Sequence, residues 1–208
     1  MNTTLKLILA SGSPRRAELL RSAGLGFEII VPEIDEAPLP GEAPDAFVCR
    51  TAREKAESIS SADAVILAAD TAVVDGERIL GKPTDAEDAA AMLRSLSGHS
   101  HEVMTGVCLR FPKHTVCFHI ETCVTFRALS EKEIIDYVAT GEPMDKAGAY
   151  AIQGGAAKMV RQVEGSYSNV VGLPLCEVIE TLSGFAAVQS QKSKSLMSDI
   201  SNGPSFDL

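Results

Sequence analysis

The feature that most constrains the fold is a short apolar segment that leads directly into a basic helix near the N-terminus. The apolar run predicts a strand over Lys6–Ala10, and the residues after it predict a helix over Pro14–Ala23. Ser13 is a favourable N-cap, and proline suits the first helical position. A strand followed at once by a helix is the beginning of an α/β fold.

The start of this helix is a candidate phosphate site. A helix N-terminus presents unpaired N–H groups and the positive end of the helix dipole, which favour a phosphate. Arg15 and Arg16 add two guanidinium groups there. The alternative is a solvent-facing arginine pair that merely begins a helix, and this segment alone weights the two interpretations equally.

Strand and helix signals continue to alternate through the first half of the chain. They predict a strand over Phe27–Val31, a helix from about Ala43 to Ser60, and a buried strand over Ala64–Ala69. The last strand ends at Asp70-Thr71, and the carboxyl ends of such strands often carry ligand-binding residues. The pair Asp75-Gly76 predicts a hairpin turn shortly afterwards.

The second half combines helices with one long hairpin. Thr84 and Glu87 predict a capping box for a helix over Asp85–Ser95, and Ser130 and Glu133 predict another for a helix that closes at Gly141. Between them lie two strands of a predicted hairpin, His101–Arg110 and His114–Leu129. Residues 143–172 are rich in glycine and read as irregular. We expect a single domain over residues 1–188 and a disordered tail over residues 189–208.

Composition narrows the class of protein. With 208 residues and 45% hydrophobic content, the chain can bury a sizeable core. A net charge of −9 argues against nucleic acid as a partner, so functional cations should be concentrated in one cleft. Five scattered cysteines without a CxxC pair fit reduced thiols, and no segment is long enough to cross a bilayer. A cytoplasmic protein with no membrane partner is the expectation.

Carboxylates and lysines at predicted element ends indicate chemistry on a polyphosphate. Asp70 ends an otherwise apolar strand, where a carboxylate needs a partner or a cation. Glu36 belongs to an acidic run, which is more commonly a solvated loop. Lys55, Lys82 and Lys146 are each ordinary surface candidates, yet together with the carboxylates they could bind a divalent metal and a triphosphate. Catalysis of phosphoryl transfer depends mostly on such positioning and charge neutralisation.

The chain resembles the Maf family of nucleoside triphosphate pyrophosphatases. The resemblance extends in order over about residues 6–185. It is carried by the segments Leu9–Arg16, Ile34–Glu36, Arg53–Ala56, Ala69–Val74, Gly76–Pro83, Leu96–His99, Gly141–Tyr150, Ile152–Gly154 and Gly165–Pro174.

The resemblance implies a fold and a reaction. The fold would be α/β, a long bent mixed β-sheet flanked by helices, with two lobes around a nucleotide-binding cleft, similar to inosine-triphosphate pyrophosphatases. The reaction would convert a nucleoside triphosphate to the monophosphate and pyrophosphate, removing non-standard or excess nucleotides. It would need a divalent cation, Mg²⁺ before Mn²⁺, and a homodimer is an open expectation for the family.

The resemblance also implies residue roles. Asp70 would accept the proton of the attacking water and, with Glu36, hold the metal. Lys55 and Lys82 would be catalytic cations along the phosphate path, joined there by Ser13 and Arg16. A metal-bound water needs little help from a base, so the role of Asp70 as base or as ligand stays open.

Three positions imply the subgroup named for dTTP and UTP. Arg15 stands where the subgroup acting on 7-methyl-GTP has tryptophan, and an arginine would repel the cationic methylated ring. Thr71 and Gln153 match the other specificity positions, and the Gln153 amide has an acceptor and two donors with which to read a pyrimidine edge.

Two other functions remain open. One is a nucleotide-binding regulator of cell division or septum formation with little turnover, and the other is a 7-methyl-GTP pyrophosphatase with an atypical pocket. The intact set of Glu36, Asp70 and Lys82 favours catalysis over a regulator.

Overall fold

The structure is a computed structural model that describes residues 6–185. The chain divides into a first unit that ends at Pro174 and a second that begins at Leu175. The strands of the first unit are β1 (Lys6–Ala10), β2 (Glu28–Ile29), β3 (Ala64–Asp75), β4 (Arg78–Leu80), β5 (Ser100–Arg110), β6 (Thr115–Phe126) and β7 (Val160–Glu164). Its α-helices are α1 (Pro14–Ser22), α2 (Pro44–Ser58), α3 (Ala86–Leu96), α4 (Glu131–Val138) and α5 (Tyr167–Val171). Residues 175–185 of the second unit are helical.

The strands form one mixed seven-stranded sheet in the order β2-β1-β3-β5-β6-β7, with β4 paired to β3. The strand β1 lies parallel to both β2 and β3, whereas the pairs from β3 onward are antiparallel. The predicted α/β class with a mixed sheet flanked by helices is therefore confirmed. The predicted division into two lobes stays a prediction.

The helix α2 packs directly on the centre of the sheet because a glycine lies beneath it. A Cβ atom placed on Gly106 of β5 would be only 2.2 Å from the carbonyl oxygen of Val48 in α2. Only glycine allows two backbones to approach this closely. The close approach brings Lys55, near the end of α2, to the middle of β3.

The opposite face of the sheet is covered by α3 and α4. Leu93 and Leu96 of α3 and Ile134 of α4 join Val73 and Phe126 of the sheet in one apolar cluster, each at most 3% exposed. Burying a side chain of this size contributes about 1.5–3 kcal/mol. The sheet is thus fixed between two helical layers, and its central strands are rigid supports for a site.

Several predicted boundaries change in the structure. The strand β1 has the predicted bounds, but β2 is shorter than predicted, because only Glu28 and Ile29 pair with β1. The strand β3 does not end at Ala69, since pairing with β5 carries it past Asp70 and into the hairpin predicted at Asp75-Gly76. Asp70 therefore lies within a strand rather than at its end.

One predicted helix cap is wrong and the other is confirmed. Asp85, not Thr84, is the N-cap of α3, and its carboxylate accepts a hydrogen bond from the N–H of Asp88. Carboxylates are at least as good as hydroxyls at this position, so the adjacent Asp85 displaced the predicted cap. The capping box of Ser130 and Glu133 at the start of α4 is present.

The glycine-rich region 143–172 contains more structure than predicted, namely β7 and α5. The predicted β5–β6 hairpin is confirmed, although β6 ends at Phe126 rather than Leu129. All five cysteines are free thiols, as expected. The tail predicted over residues 189–208 lies outside the described residues.

Candidate active site

A cleft opens beside β3, between the part of this strand that pairs with β1 and the part that pairs with β4. The β1–β3 register ends at Ala10 and Ala68, and β4 joins β3 only from Val73. Within the described chain, residues 69–72 therefore pair with β5 on one side and leave the other edge bare. The cleft beside this edge has a volume of about 840 Å³ and is also lined by the start of α1.

All the predicted site residues line this one cleft: Ser13, Arg15, Arg16, Glu36, Lys55, Asp70, Thr71, Lys82 and Gln153. They come from α1, the loop after β2, α2, β3, the loop after β4 and the loop before β7. Asp145 and Lys146 line it as well. Although the chain is acidic overall, the lining carries five cationic side chains and three carboxylates, so the cleft attracts anions.

A buried lysine joins the two candidate metal ligands. The Nζ atom of Lys55 lies 2.6 Å from Oδ1 of Asp70 and 2.9 Å from Oε1 of Glu36. Lys55 and Asp70 are only 4% and 7% exposed, whereas the Glu36 side chain is 46% exposed. Asp70 thus has the partner that its sequence position requires, and Glu36 faces the open cleft.

The charge around Glu36 is strongly positive. Partial burial would raise the pKa of Glu36, but the hydrogen bond from Lys55 and the charges of Lys55, Lys82 and Arg16 hold it below its ordinary value of 4.5. Glu36 is consequently ionised at neutral pH and can serve as a cation ligand.

Arg16 is fixed by neutral acceptors. Its Nε donates to the carbonyl oxygen of Gly172 at 2.7 Å, and its two terminal nitrogens donate to Ser11 Oγ at 3.1 Å and Thr71 Oγ1 at 3.0 Å. Burial lowers the pKa of Arg16, and the charge of Asp70 opposes that shift. A guanidinium has five N–H donors, so two remain beyond these three bonds. No carboxylate among the described residues forms an ion pair with it, which leaves its charge available to an anion.

Thr71 lies on the opposite face of β3 from Asp70, because successive strand residues point to opposite faces. Thr105 Oγ1 donates its proton to the carbonyl oxygen of Asn169 at 3.1 Å. The Thr71 hydroxyl donates its own proton either to Thr105 Oγ1 at 2.9 Å or to the carbonyl oxygen of Gly172 at 3.5 Å. Thr71 also accepts from Arg16. Its hydroxyl therefore has no proton left to donate and can only accept a hydrogen bond from a ligand.

The remaining cations are more accessible. Arg15 reaches Asp145 only at 3.9 Å, and its side chain is 32% exposed. Lys82 is exposed and has no ion-pair partner in the described part of the chain. Lys146 pairs with Asp145 and donates to the carbonyl oxygen of Glu142. Arg15 and Lys82 are thus the cations most free to meet phosphate oxygens.

The donor set of the cleft fits a magnesium-type ion. No group of three or more His, Cys, Asp or Glu side chains among residues 6–185 is arranged to hold a metal by itself. Mg²⁺ in nucleotide sites, however, is bound by one or two carboxylates together with phosphate oxygens and water. Glu36 and Asp70, which converge on one Lys55 ammonium, match that requirement.

The sequence did not single out the residues that support Arg16 and Thr71. Ser11 and Asn169 lie in segments of the family resemblance, but nothing in their local pattern distinguishes them from loop residues. Asn169 is fully buried, and its amide donates to Val103 O at 2.9 Å and to Thr122 Oγ1 at 3.0 Å. Asn169 thereby anchors α5 to β5 and β6. Gly172 is the residue that ends α5, so its carbonyl oxygen is kept in place to accept from Arg16.

Comparison with known proteins identifies close similarity over most of the chain. Residues 6–185 match the family model described as Maf-like protein. A dTTP/UTP pyrophosphatase of Geobacter sulfurreducens is 52% identical over 187 residues, which cover 88% of this chain and 98% of the relative. A dTTP/UTP pyrophosphatase of Escherichia coli O157:H7 is 50% identical over 191 residues, with 90% and 97% coverage. No described helix is long and apolar enough to span a membrane.

Proposed function

The chain belongs to the Maf family, and we propose that it hydrolyses nucleoside triphosphates, dTTP and UTP before others, to the monophosphate and pyrophosphate. Relatives at about half identity that bear this activity in their names support the proposal. The observation that carries it is the buried Lys55, which joins Asp70 and Glu36 inside a cleft otherwise rich in cations. Carboxylates facing several cations suit a substrate that arrives as a metal–polyphosphate complex.

We assign the phosphate chain to the cationic side of the cleft. The more exposed side chains of Arg15 and Lys82 would contact its oxygens from the solvent side of the cleft. The buried guanidinium of Arg16, which is held by three hydrogen bonds, contributes a fixed positive charge. Ser13 caps α1 by accepting from the N–H of Arg16 at 3.5 Å, which keeps this helix N-terminus directed at the cleft. Fixed cations stabilise the charge of the departing pyrophosphate without having to reorganise.

We assign the attacking water to Asp70. Its Oδ1 accepts from Lys55, and the second carboxylate oxygen is the candidate acceptor for the water proton. Glu36 and Asp70 would hold a divalent cation, Mg²⁺ before Mn²⁺. That ion supplies neutralisation of phosphate charge when bound. Lys55 lies within 2.9 Å of both carboxylates and holds them close to one another.

We assign the base to the end of the cleft near Gln153. Gln153 is exposed in the cleft, and Ile152, Tyr150 and Val103 provide apolar surface beside it. A primary amide can pair with both a carbonyl and an N–H of a pyrimidine ring. The Arg15 cation would repel the cationic ring of 7-methylguanine, which disfavours 7-methyl-GTP.

A panel of triphosphates with Mg²⁺ tests the proposal, with pyrophosphate and orthophosphate measured separately. The substrates are dTTP, UTP, CTP, dATP, GTP and 7-methyl-GTP. The proposal predicts pyrophosphate mainly from dTTP and UTP. Orthophosphate as the product would mean attack at the terminal phosphorus and would refute our placement of the phosphate chain. Binding without any release would instead support the nucleotide-binding regulator.

A further inference from the structure

The turn that carries Gln153 is held at both ends by side chains outside the cleft lining. Residues 151–154 form a tight turn, closed by a 3.0 Å hydrogen bond from the N–H of Gly154 to the carbonyl oxygen of Ala151. Ahead of the turn, the N–H of Ala151 donates to the Tyr137 hydroxyl at 3.1 Å. Behind it, the N–H of Gly155 donates to Oε2 of Glu142 at 2.8 Å.

Glu142 is fitted to this turn more closely than a solvated surface carboxylate would be. A Cβ atom placed on Gly154 would lie 1.9 Å from Oε1 of Glu142, so the carboxylate rests directly against the Gly154 backbone. Gly154 has a negative φ of −114°, so a left-handed conformation is not the reason for glycine here. The proximity of the Glu142 carboxylate leaves no room for a Cβ at this position.

Tyr137 and Glu142 also act on each other. Tyr137 is 3% exposed, at the C-terminal end of α4. Burial raises the pKa of the Tyr137 hydroxyl, and the neighbouring Glu142 carboxylate raises it further. A Cβ atom placed on Gly155 would lie 3.1 Å from Cε2 of Tyr137 and 3.2 Å from Oε2 of Glu142, so both side chains rest against the end of the turn. Tyr137 also accepts from the N–H of Ala151 at its beginning.

From this geometry we propose that Glu142 and Tyr137 are positioning residues that set the selection of the base by holding the turn of Gln153. The inference rests on the proposed function, because it assumes that Gln153 contacts the pyrimidine. Neither residue lines the cleft. Their effect should therefore appear in base affinity and selectivity, and much less in the rate of the chemical step.

The first experiment measures kcat and KM for UTP and CTP in Glu142→Ala and Glu142→Gln. Loss of a hydrogen bond to a charged group costs about 1.5–3 kcal/mol, so Glu142→Ala should raise KM for UTP by about tenfold or more. Its kcat should stay within about twofold, and the preference for UTP over CTP should shrink. Glu142→Gln keeps an acceptor oxygen and should restore most of the selectivity. Equal selectivity in the wild type and Glu142→Ala would overturn the proposal.

Gly154→Ala provides an independent route to the same change. The added methyl group must displace the Glu142 carboxylate, so this variant should resemble Glu142→Ala. In the Glu142→Ala background the same methyl group meets no carboxylate and should have little further effect. Full additivity of the two substitutions would show that they act separately and would contradict the proposal. Glu131→Ala, which removes an exposed carboxylate at the start of α4, is the matched control.

Coupling with Gln153 and product binding complete the test. In a Gln153→Ala background, Glu142→Ala should no longer alter the ratio of UTP to CTP, and a further change there would overturn the inference. Calorimetric binding of UMP and CMP gives a readout that needs no turnover. If the wild type hydrolysed no triphosphate, the proposed function would fail, whereas weaker and less selective UMP binding by Glu142→Ala would still support the positioning role.

Discussion

Replacement of Lys55 by methionine removes the ammonium group that joins Asp70 and Glu36 while keeping an apolar side chain of similar length. The ammonium lies 2.6 Å from Asp70, and the two side chains are only 6% and 10% exposed. Removing one partner of such a buried pair costs about 3–5 kcal/mol, because the other charge is left uncompensated. The Glu36 side chain is 46% exposed and can return to water, so it adds little. We expect a loss near the lower end of that range, because the cleft can admit water to Asp70.

Urea unfolding at pH 7 measures this loss, and thermal unfolding provides a check. For a domain of this size, about 3 kcal/mol corresponds to a fall in Tm of about 6–12 °C. Lys132→Met is the matched control, because Lys132 pairs with Asp136 at 2.7 Å but is 83% exposed, and no measurable change is expected. The double variant with Asp70→Asn should recover part of the stability, since no buried carboxylate is then left unpaired. A loss for Lys55→Met no larger than that of the control would refute the reasoning.

Three further predictions concern other parts of the molecule. Gly106→Ala should destabilise the protein by at least about 3 kcal/mol and lower its activity, because a Cβ there meets the α2 backbone; Gly26→Ala, with open space around it, should be nearly neutral in the same urea titration. Burial, with a contribution from His99, lowers the pKa of His101 from 6.5 to about 4. As the pH falls, the imidazole therefore binds a proton in the unfolded chain before it does so in the folded protein. The free energy of unfolding should fall as the pH drops from about 6.5 through 4. His101→Gln should reduce this dependence of the free energy of unfolding on pH. Arg15→Trp should move the kcat/KM preference toward 7-methyl-GTP, and unchanged selectivity would contradict the assigned role of Arg15.

Local sequence patterns correctly predicted the start of a helix where neighbouring residues provide its cap. Ser13 and Pro14 begin α1 as predicted, and the capping box at Ser130 begins α4. The end of β3 could not be read in this way. Its apolar run stops at Ala69, but strand pairing with β5 continues through Asp70 to Val74. Pairing between distant segments overrides the local signal at such positions.

The composition of the site could be predicted, but its internal connections could not. Spacing and resemblance placed Asp70, Lys55 and Glu36 in one cleft, where the structure finds them. The hydrogen bonds that orient Arg16 come from Ser11, Thr71 and Gly172, the last of them 156 residues away in sequence. Neutral polar contacts of this kind leave no periodic or charge signal in the sequence. The contact of the Glu142 carboxylate with Gly154, and its hydrogen bond from the N–H of Gly155, likewise leave no signal in the sequence.

The most direct test of the account compares pyrophosphate release from UTP by the wild type and by Asp70→Asn, in the presence of Mg²⁺. The asparagine keeps the size of the side chain and an oxygen toward Lys55 but can neither accept the water proton nor offer a charged ligand. The account predicts steady pyrophosphate release by the wild type and its loss in the variant, with the far-ultraviolet circular dichroism of the two proteins unchanged. Near-normal release by a folded Asp70→Asn protein would contradict it.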